Sequence, residues 1–216
     1  MKIQSTSQIN SKAIPIANIR VKNSNNNYKL YKLTQNDTAF LDKLAASINV
    51  ESLYPGLKEH QYKIWDSIIR GCFDSISNRD SVTILETCNG IPCGMLNYLK
   101  INEKKDRIAY VSTWPIRAGE KVPFAGKILF QEFFRNFLNN NKSIAELVAV
   151  KNGPFASITK FMSIGFKLLG GDNYNELMRA EDKKIKSVYE KFNNDITRQS
   201  YPQQVEENLN NFLIIT

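Results

Sequence analysis

SVTILETC (81–88), Asn89-Gly90 and IPCGMLNYLKI (91–101) form the stretch that decides the fold. Two runs rich in β-branched and apolar residues flank an Asn-Gly pair, which suits a two-residue type I′ turn, so the stretch reads as a β-hairpin. Downstream, RIAYVSTW (107–114) is a strand ended by Pro115. Residues 126–138 follow as a helix with Ile128, Leu129, Phe133, Phe134, Phe137 and Leu138 on its mostly buried side. AELVAV (145–150) is a continuous apolar run, expected as a central strand buried on both faces. An amphipathic helix over 153–164 and two short strands within FKLLGGDNYNELMRA (166–180) complete this part. Upstream, YKLYKLT (28–34) alternates as a strand. A helix capped at Asn36 or Asp37 then carries Phe40, Leu41, Leu44 and Ile48, and a second helix runs from about His60 to Phe73. The order β-α-α-β-β-β-α-β-α-β-β is that of a mixed α/β domain.

The 216 residues suit one domain with short extensions. Residues 1–27 read as a flexible basic arm, within which IPIANIRV (14–21) has too short an alternation to decide on an added strand. The domain proper covers 28–180, and 181–216 reads as a helical extension in two pieces parted near Pro202. Net charge is +8, but residues 1–36 hold six Lys/Arg and no acid, so the excess is largely outside the body. A nucleic-acid-binding face would concentrate charge on the fold itself, which argues against that class. No apolar run reaches the ~18–20 residues of a membrane span, and no secretory leader is visible, so a cytoplasmic protein with no membrane association is expected. Cys72, Cys88 and Cys93 are expected as reduced thiols, and with His60 the sole histidine no metal site or Ser-His-Asp triad is expected.

Three segments resemble the GNAT superfamily of N-acetyltransferases over roughly residues 28–180. ILETCNGIPCGMLNYL (84–99) resembles the family's second and third strands, with Gly94 soon after the turn. KVPFAGKIL (121–129) resembles the acyl-CoA pyrophosphate loop running into a helix, with Phe124 where the first glycine of the family pattern is expected. VKNGPFASITKFMSIGF (150–166) resembles the late strand and following helix through Asn152, Ala156, Phe161, Gly165 and Phe166. The resemblance implies a mixed central sheet flanked by helices. Acetyl-CoA, as cosubstrate, would lie in a cleft between two splayed parallel strands, 107–114 and 145–150. It also implies transfer of an acyl group to a primary amine of a peptide, protein or small molecule.

On that resemblance Val111, Thr113 and Trp114 line the pantetheine, and Lys121, Phe124, Ala125, Gly126, Lys127 and Asn152 belong to the cofactor site. The physics agrees at the loop. A helix N-terminus offers unpaired N–H groups and partial positive charge to a pyrophosphate, and Ala125-Gly126 lets the backbone come close. Tyr110 and Glu86 are the catalytic candidates, with Ser112 beside Tyr110 on the same strand; each also reads as an ordinary packed or solvated side chain. His60, Tyr54 and Trp65 are acceptor-side candidates with equally ordinary alternatives. Phe161 stands where many members carry a tyrosine, and a phenyl ring donates no proton. A catalytically silent GNAT-like module acting through a protein partner is the alternative reading. The apolar end NFLIIT (211–216) leaves a homodimer open.

Overall fold

A computed structural model describes residues 12–74, 81–117, 120, 122–151, 157–201 and 207–208. In chain order the elements begin with β1 (Lys12–Val21), β2 (Tyr28–Leu33), α1 (Thr38–Ser47), α2 (Val50–Leu53) and α3 (Glu59–Asp74). They continue with β3 (Ser81–Cys88), β4 (Ile91–Lys100), β5 (Lys105–Thr113), α4 (Ala125–Asn139), β6 (Ile144–Val150) and α5 (Ser157–Ser163). The last are β7 (Lys167–Gly171), β8 (Asn175–Glu181), α6 (Asp182–Asn193), β9 (Ile196–Ser200) and β10 (Glu207–Asn208). The strands make one sheet in the order β10-β1-β2-β3-β4-β5-β6-β8-β7, with β9 paired to β1 beside β10. Among the described strand pairs, β5 with β6 is the parallel one. This is the α/β class expected.

The hairpin forms as read. Asn89 at φ 52° and Gly90 at φ 80° both occupy the left-handed region that the turn requires. Alternation along β3 then sends Ile84, Glu86 and Cys88 to one face and Thr83, Leu85 and Thr87 to the other. On the first face α4 lays Ile128, Leu129, Phe133, Phe134 and Phe137 over the sheet, and α6 adds Ile185, Val188 and Phe192. On the second, Phe40, Leu41 and Leu44 of α1 and Leu53 of α2 pack on Tyr31, Leu33, Leu85, Met95 and Trp114.

Three expectations are corrected. The basic arm holds a strand over Lys12–Val21: Ala13, Ala17, Ile19 and Val21 are buried, and β1 pairs with β2 from Ile14 to Ile19 and with β9 from Ala17 to Val21. Its pairing slips between Pro15 and Ala17, which broke the visible alternation. The first piece of the C-terminal extension is helix only to Asn193 and ends in the strand β9, whose largely polar sequence ITRQS suits a position at the sheet's outer side; of the second piece, beyond Pro202, the described residues are the strand β10. In β6, Val148 is 51% exposed, so this strand is not buried on both faces throughout.

Candidate functional site

β5 and β6 pair only from Lys105↔Ile144 to Ile108↔Leu147, although β5 runs on to Thr113 and β6 to Val150. Opposite β4, Ile108 faces Tyr98 and Tyr110 faces Asn97, leaving Ala109 as a bulge at the point of parting. A bulge adds local twist and bends its strand away from a neighbour. Beyond it the two strands splay around a cleft of about 1000 Å³. Val111, Thr113, Trp114, Ala149 and Val150 line it, with Phe161 and Ile164 from α5. Val148 still pairs with Leu177 of β8 but is exposed where β5 no longer lies beside it.

α4 begins at one side of this opening. Phe124 caps it at φ 64°, a left-handed conformation that costs a bulky side chain on the order of 1 kcal/mol, and it is 38% exposed. Gly126 and Lys127 line the cleft and Ala125 is buried. A Cβ built on Gly126 would come no nearer than 4.0 Å to Thr113, so this first turn leaves open space beside β5. Lys127 is not a solvated lysine: its Nζ lies 2.5 Å from Asp195 Oδ2 and over the Phe124 and Phe192 rings. Lys121 and Asn152 lie outside the described residues.

The register places Arg107, Tyr110, Ser112 and Trp114 on the α3 side of β5, and Ile108, Val111 and Thr113 on the α4 side. Tyr110 is 37% exposed and lines the cleft, its ring lying directly over Gly71 of α3. Ser112 Oγ is buried at the cleft without a hydrogen-bond partner. Trp114 donates Nε1–H to Pro92 O at 2.8 Å and so is held as wall. Tyr54 donates its hydroxyl to Thr113 O at 2.5 Å, with Trp65 edge-on to its ring, and both line the cleft. His60 is exposed and does not line it.

Glu86 is not brought to the cleft. It points to the α4 side of β3 with no exposed surface, and neither carboxylate oxygen has a hydrogen-bond partner. Burial pushes its carboxyl well above the ordinary value, toward the neutral form. The expected solvated strand-end acid is instead sealed, because α4 packs over that face while β2 and β4 flank β3 in the sheet. Sequence reading did not single out Arg107, Val148, Val150 or Ile164 as cleft residues. The point where the pairing ends depends on the bulge at Ala109, which no local residue pattern announces. Among the described residues no cluster of His, Cys, Asp and Glu could hold a metal ion, and no helix is long and apolar enough to cross a membrane.

No family model matches the sequence, and no curated protein matches it. Solved structures do match the fold. The Thermoplasma acidophilum PaiA N-acetyltransferase, in complex with coenzyme A, superposes with a TM-score of 0.53 at 16% identity, over 71% of this chain and 98% of that one. FdhC, a nucleotide-linked sugar GNAT in its apo form, gives 0.53 at 14% identity over 81% and 97%. The GNAT domain of S. lividans PAT gives 0.54 at 11% identity over 77% and 96%. The chain has the GNAT acetyltransferase fold.

Proposed function

We propose that the chain is an acyl-CoA-dependent N-acyltransferase, with acetyl-CoA as the expected donor and a primary amine as acceptor. One observation carries this reading: two parallel strands part at a bulge and open a cleft beside the free first turn of a fifteen-residue helix. Splayed strands leave backbone N–H and C=O groups without ladder partners, which a pantetheine arm can take up. The α4 N-terminus offers N–H groups and partial positive charge to a pyrophosphate, with space at Gly126 for its approach. The mostly apolar walls suit the rest of a long, flexible ligand.

An acyl thioester supplies an activated carbonyl and a thiolate that leaves readily. The amine nitrogen forms the new C–N bond as the C–S bond breaks, the sulfur keeps the bonding pair, and the proton lost by the amine balances the proton gained by the thiolate. The chain's part is to hold the amine in line and to take up its proton. Tyr110, exposed in the cleft on the α3 side, is our candidate for relaying that proton, its hydroxyl passing its own proton to water as it accepts the one from the amine, and Ser112 Oγ is a second polar group on the same side. Phe161 packs against Phe130 and Phe166 at the cleft, so the thiolate is protonated from solvent and rate rests on positioning. Glu86 has no role in this reading.

The test is Gly126→Asp. Open space at this position lets the variant fold, while a carboxylate arrives where the pyrophosphate would sit. Acetyl-CoA binding measured by calorimetry is expected to weaken by ~2–3 kcal/mol, from added like charge and a lost charge-assisted contact. Unchanged affinity in the folded variant would remove the cofactor from this loop. Absence of acetyl-CoA and longer acyl-CoA binding to the native chain would leave the silent-module reading.

A further inference from the structure

Four side chains form a row across the α3-side face of the sheet: Arg107 on β5, Glu146 on β6, Arg179 on β8 and Lys167 on β7, each directly opposite the next. Glu146 is 2% exposed and takes three cations at once: Arg107 at 2.9 Å, Arg179 at 2.9 Å and Lys105 at 3.1 Å. One carboxylate against three cations leaves two positive charges unbalanced, and Lys167 adds a third at the end of the row. Packing does not account for this excess. A single arginine would satisfy Glu146, and Lys167 opposite Arg179 is a like-charge pair that destabilises a sheet. Arg107 Nε and Arg179 Nε are enclosed without an acceptor, so the guanidinium groups retain hydrogen-bonding capacity that the protein does not use.

The row borders the cleft. Arg107 lines it, and its side chain remains 42% exposed. Val148, one strand repeat or ~7 Å along β6 from Glu146, is already on the open part. Tyr110 is the next residue on this face of β5 after the bulge. Acidic groups near the row do not cancel it. Glu181, on the same face of β8, pairs with Ile144 at the closed end of the parallel ladder, and Asp66 on α3 is engaged by Arg70 at 3.3 Å.

We propose that the acceptor is a small amine carrying an anionic group, carboxylate or phosphate, which docks on Arg107 and Arg179 while its nitrogen lies beside Tyr110. The inference rests on the acyltransferase reading for the reaction and adds the substrate class. A planar guanidinium fork matches both oxyanions with two parallel hydrogen bonds, which fixes orientation as well as charge. A polyamine would bring like charge to a partly desolvated surface already carrying net positive charge, and is disfavoured by the same field.

The experiment compares matched amines with acetyl-CoA as donor: glutamate against its diamide, glucosamine 6-phosphate against glucosamine, and spermidine. The anionic member of at least one pair is expected to exceed its neutral match by about 10-fold or more in kcat/KM, with the advantage shrinking at high salt. The glutamate and glucosamine arms tell carboxylate from phosphate. Arg107→Gln and the exposed charge reversal Lys167→Glu, which leaves the Glu146 ion pairs in place, are each expected to raise KM for the anionic amine with acetyl-CoA affinity unchanged. Preference for spermidine or for the neutral amines, or an unchanged KM in Lys167→Glu, would overturn the proposal. Calorimetry with acetyl-CoA separates the two levels, because its failure to bind sinks the acyltransferase reading itself. In that event the anion site is still read by titrating glutamate and glucosamine 6-phosphate against the Tyr110 and Val148 amide resonances. A shift lost in Arg107→Gln supports the site, and no shift with either overturns it.

Discussion

A methyl group added at Gly71 would lie 2.4 Å from Tyr110 Cε1 and 2.5 Å from Cζ, inside any allowed contact. Gly-to-Ala inside a helix ordinarily stabilises by ~0.5–1 kcal/mol. Here that gain is offset, because the Tyr110 ring must swing off α3 into the cleft. Gly71→Ala is therefore expected to stay within ~1 kcal/mol of the native stability while turnover falls to nearly that of Tyr110→Ala. Urea denaturation and steady-state kinetics check the two halves separately. A second residue-scale expectation concerns Glu86, whose burial raises its carboxyl in the folded state. The folded form then holds a proton that the unfolded chain has released, so stability falls as pH rises above the unfolded value of ~4.3. Glu86→Gln keeps shape and removes the titration. It is expected to be more stable than the native chain at pH 8, with the difference shrinking toward pH 4, as read from thermal melts across that range.

At the scale of elements, the end of the β5–β6 ladder is held by Glu146. Burial alone would push its carboxyl up, but hydrogen bonds from Arg107, Arg179 and Lys105 outweigh this and hold it at about 2. Its folded value lies below the unfolded one, so its contribution is present above pH ~4.3 and lost as pH falls toward ~2, about 3 kcal/mol in all. Glu146→Gln leaves three cations facing each other and is expected to cost ~3–5 kcal/mol at pH 7, a loss that narrows below pH 4. Denaturant titration at pH 7 and pH 3 measures both. The hairpin, α3 and α4 were legible because each depends on its own residues: Asn89-Gly90 for the turn, and apolar spacing for the helices. The cleft's position followed from the resemblance, but its cause was not legible. Register between β4 and β5, and hence the bulge at Ala109, is a pairing property of two segments. Equally, nothing local to Glu86 announces that α4 closes over it between β2 and β4, or that Lys127 would meet Asp195 from 68 residues away.

Over the whole molecule, the two ends of the described chain meet. β9 pairs with β1 from Ala17↔Ser200 to Val21↔Ile196, and β1 in turn pairs with β2. Reading 1–27 as an arm and 196–200 as helix missed this because the alternation of β1 is interrupted at its register slip, while β9 is short and polar and takes its strand form from pairing with β1. Glu132 of α4, 1% exposed, locks the arrangement. Arg198 donates Nε–H to Glu132 Oε2 at 2.8 Å and a further N–H to Ile16 O at 3.1 Å, while Arg135 takes Oε1 at 2.6 Å. One arginine thus ties β9 to β1 and to the helix that begins at the cleft.

Arg198→Ala removes one of the two arginines on the buried Glu132 and leaves that carboxylate to Arg135 and Asn136. Breaking such a buried pair costs ~3 kcal/mol or more. In a chain of this length 1 kcal/mol corresponds to ~2–4 °C, so Tm is expected to fall by about 6–12 °C. Truncation after Tyr201 keeps Arg198 and β9 and is expected to cost much less. Truncation after Asn194 removes both and uncovers the outer edge of β1, a row of unpaired N–H and C=O groups open to another copy. That variant is expected to melt below Arg198→Ala and to self-associate as concentration rises. Scanning calorimetry with light scattering on the three proteins checks the order. Equal melting of the two truncations would show that β9 adds nothing to the fold, and that the ends of the chain meet without holding it.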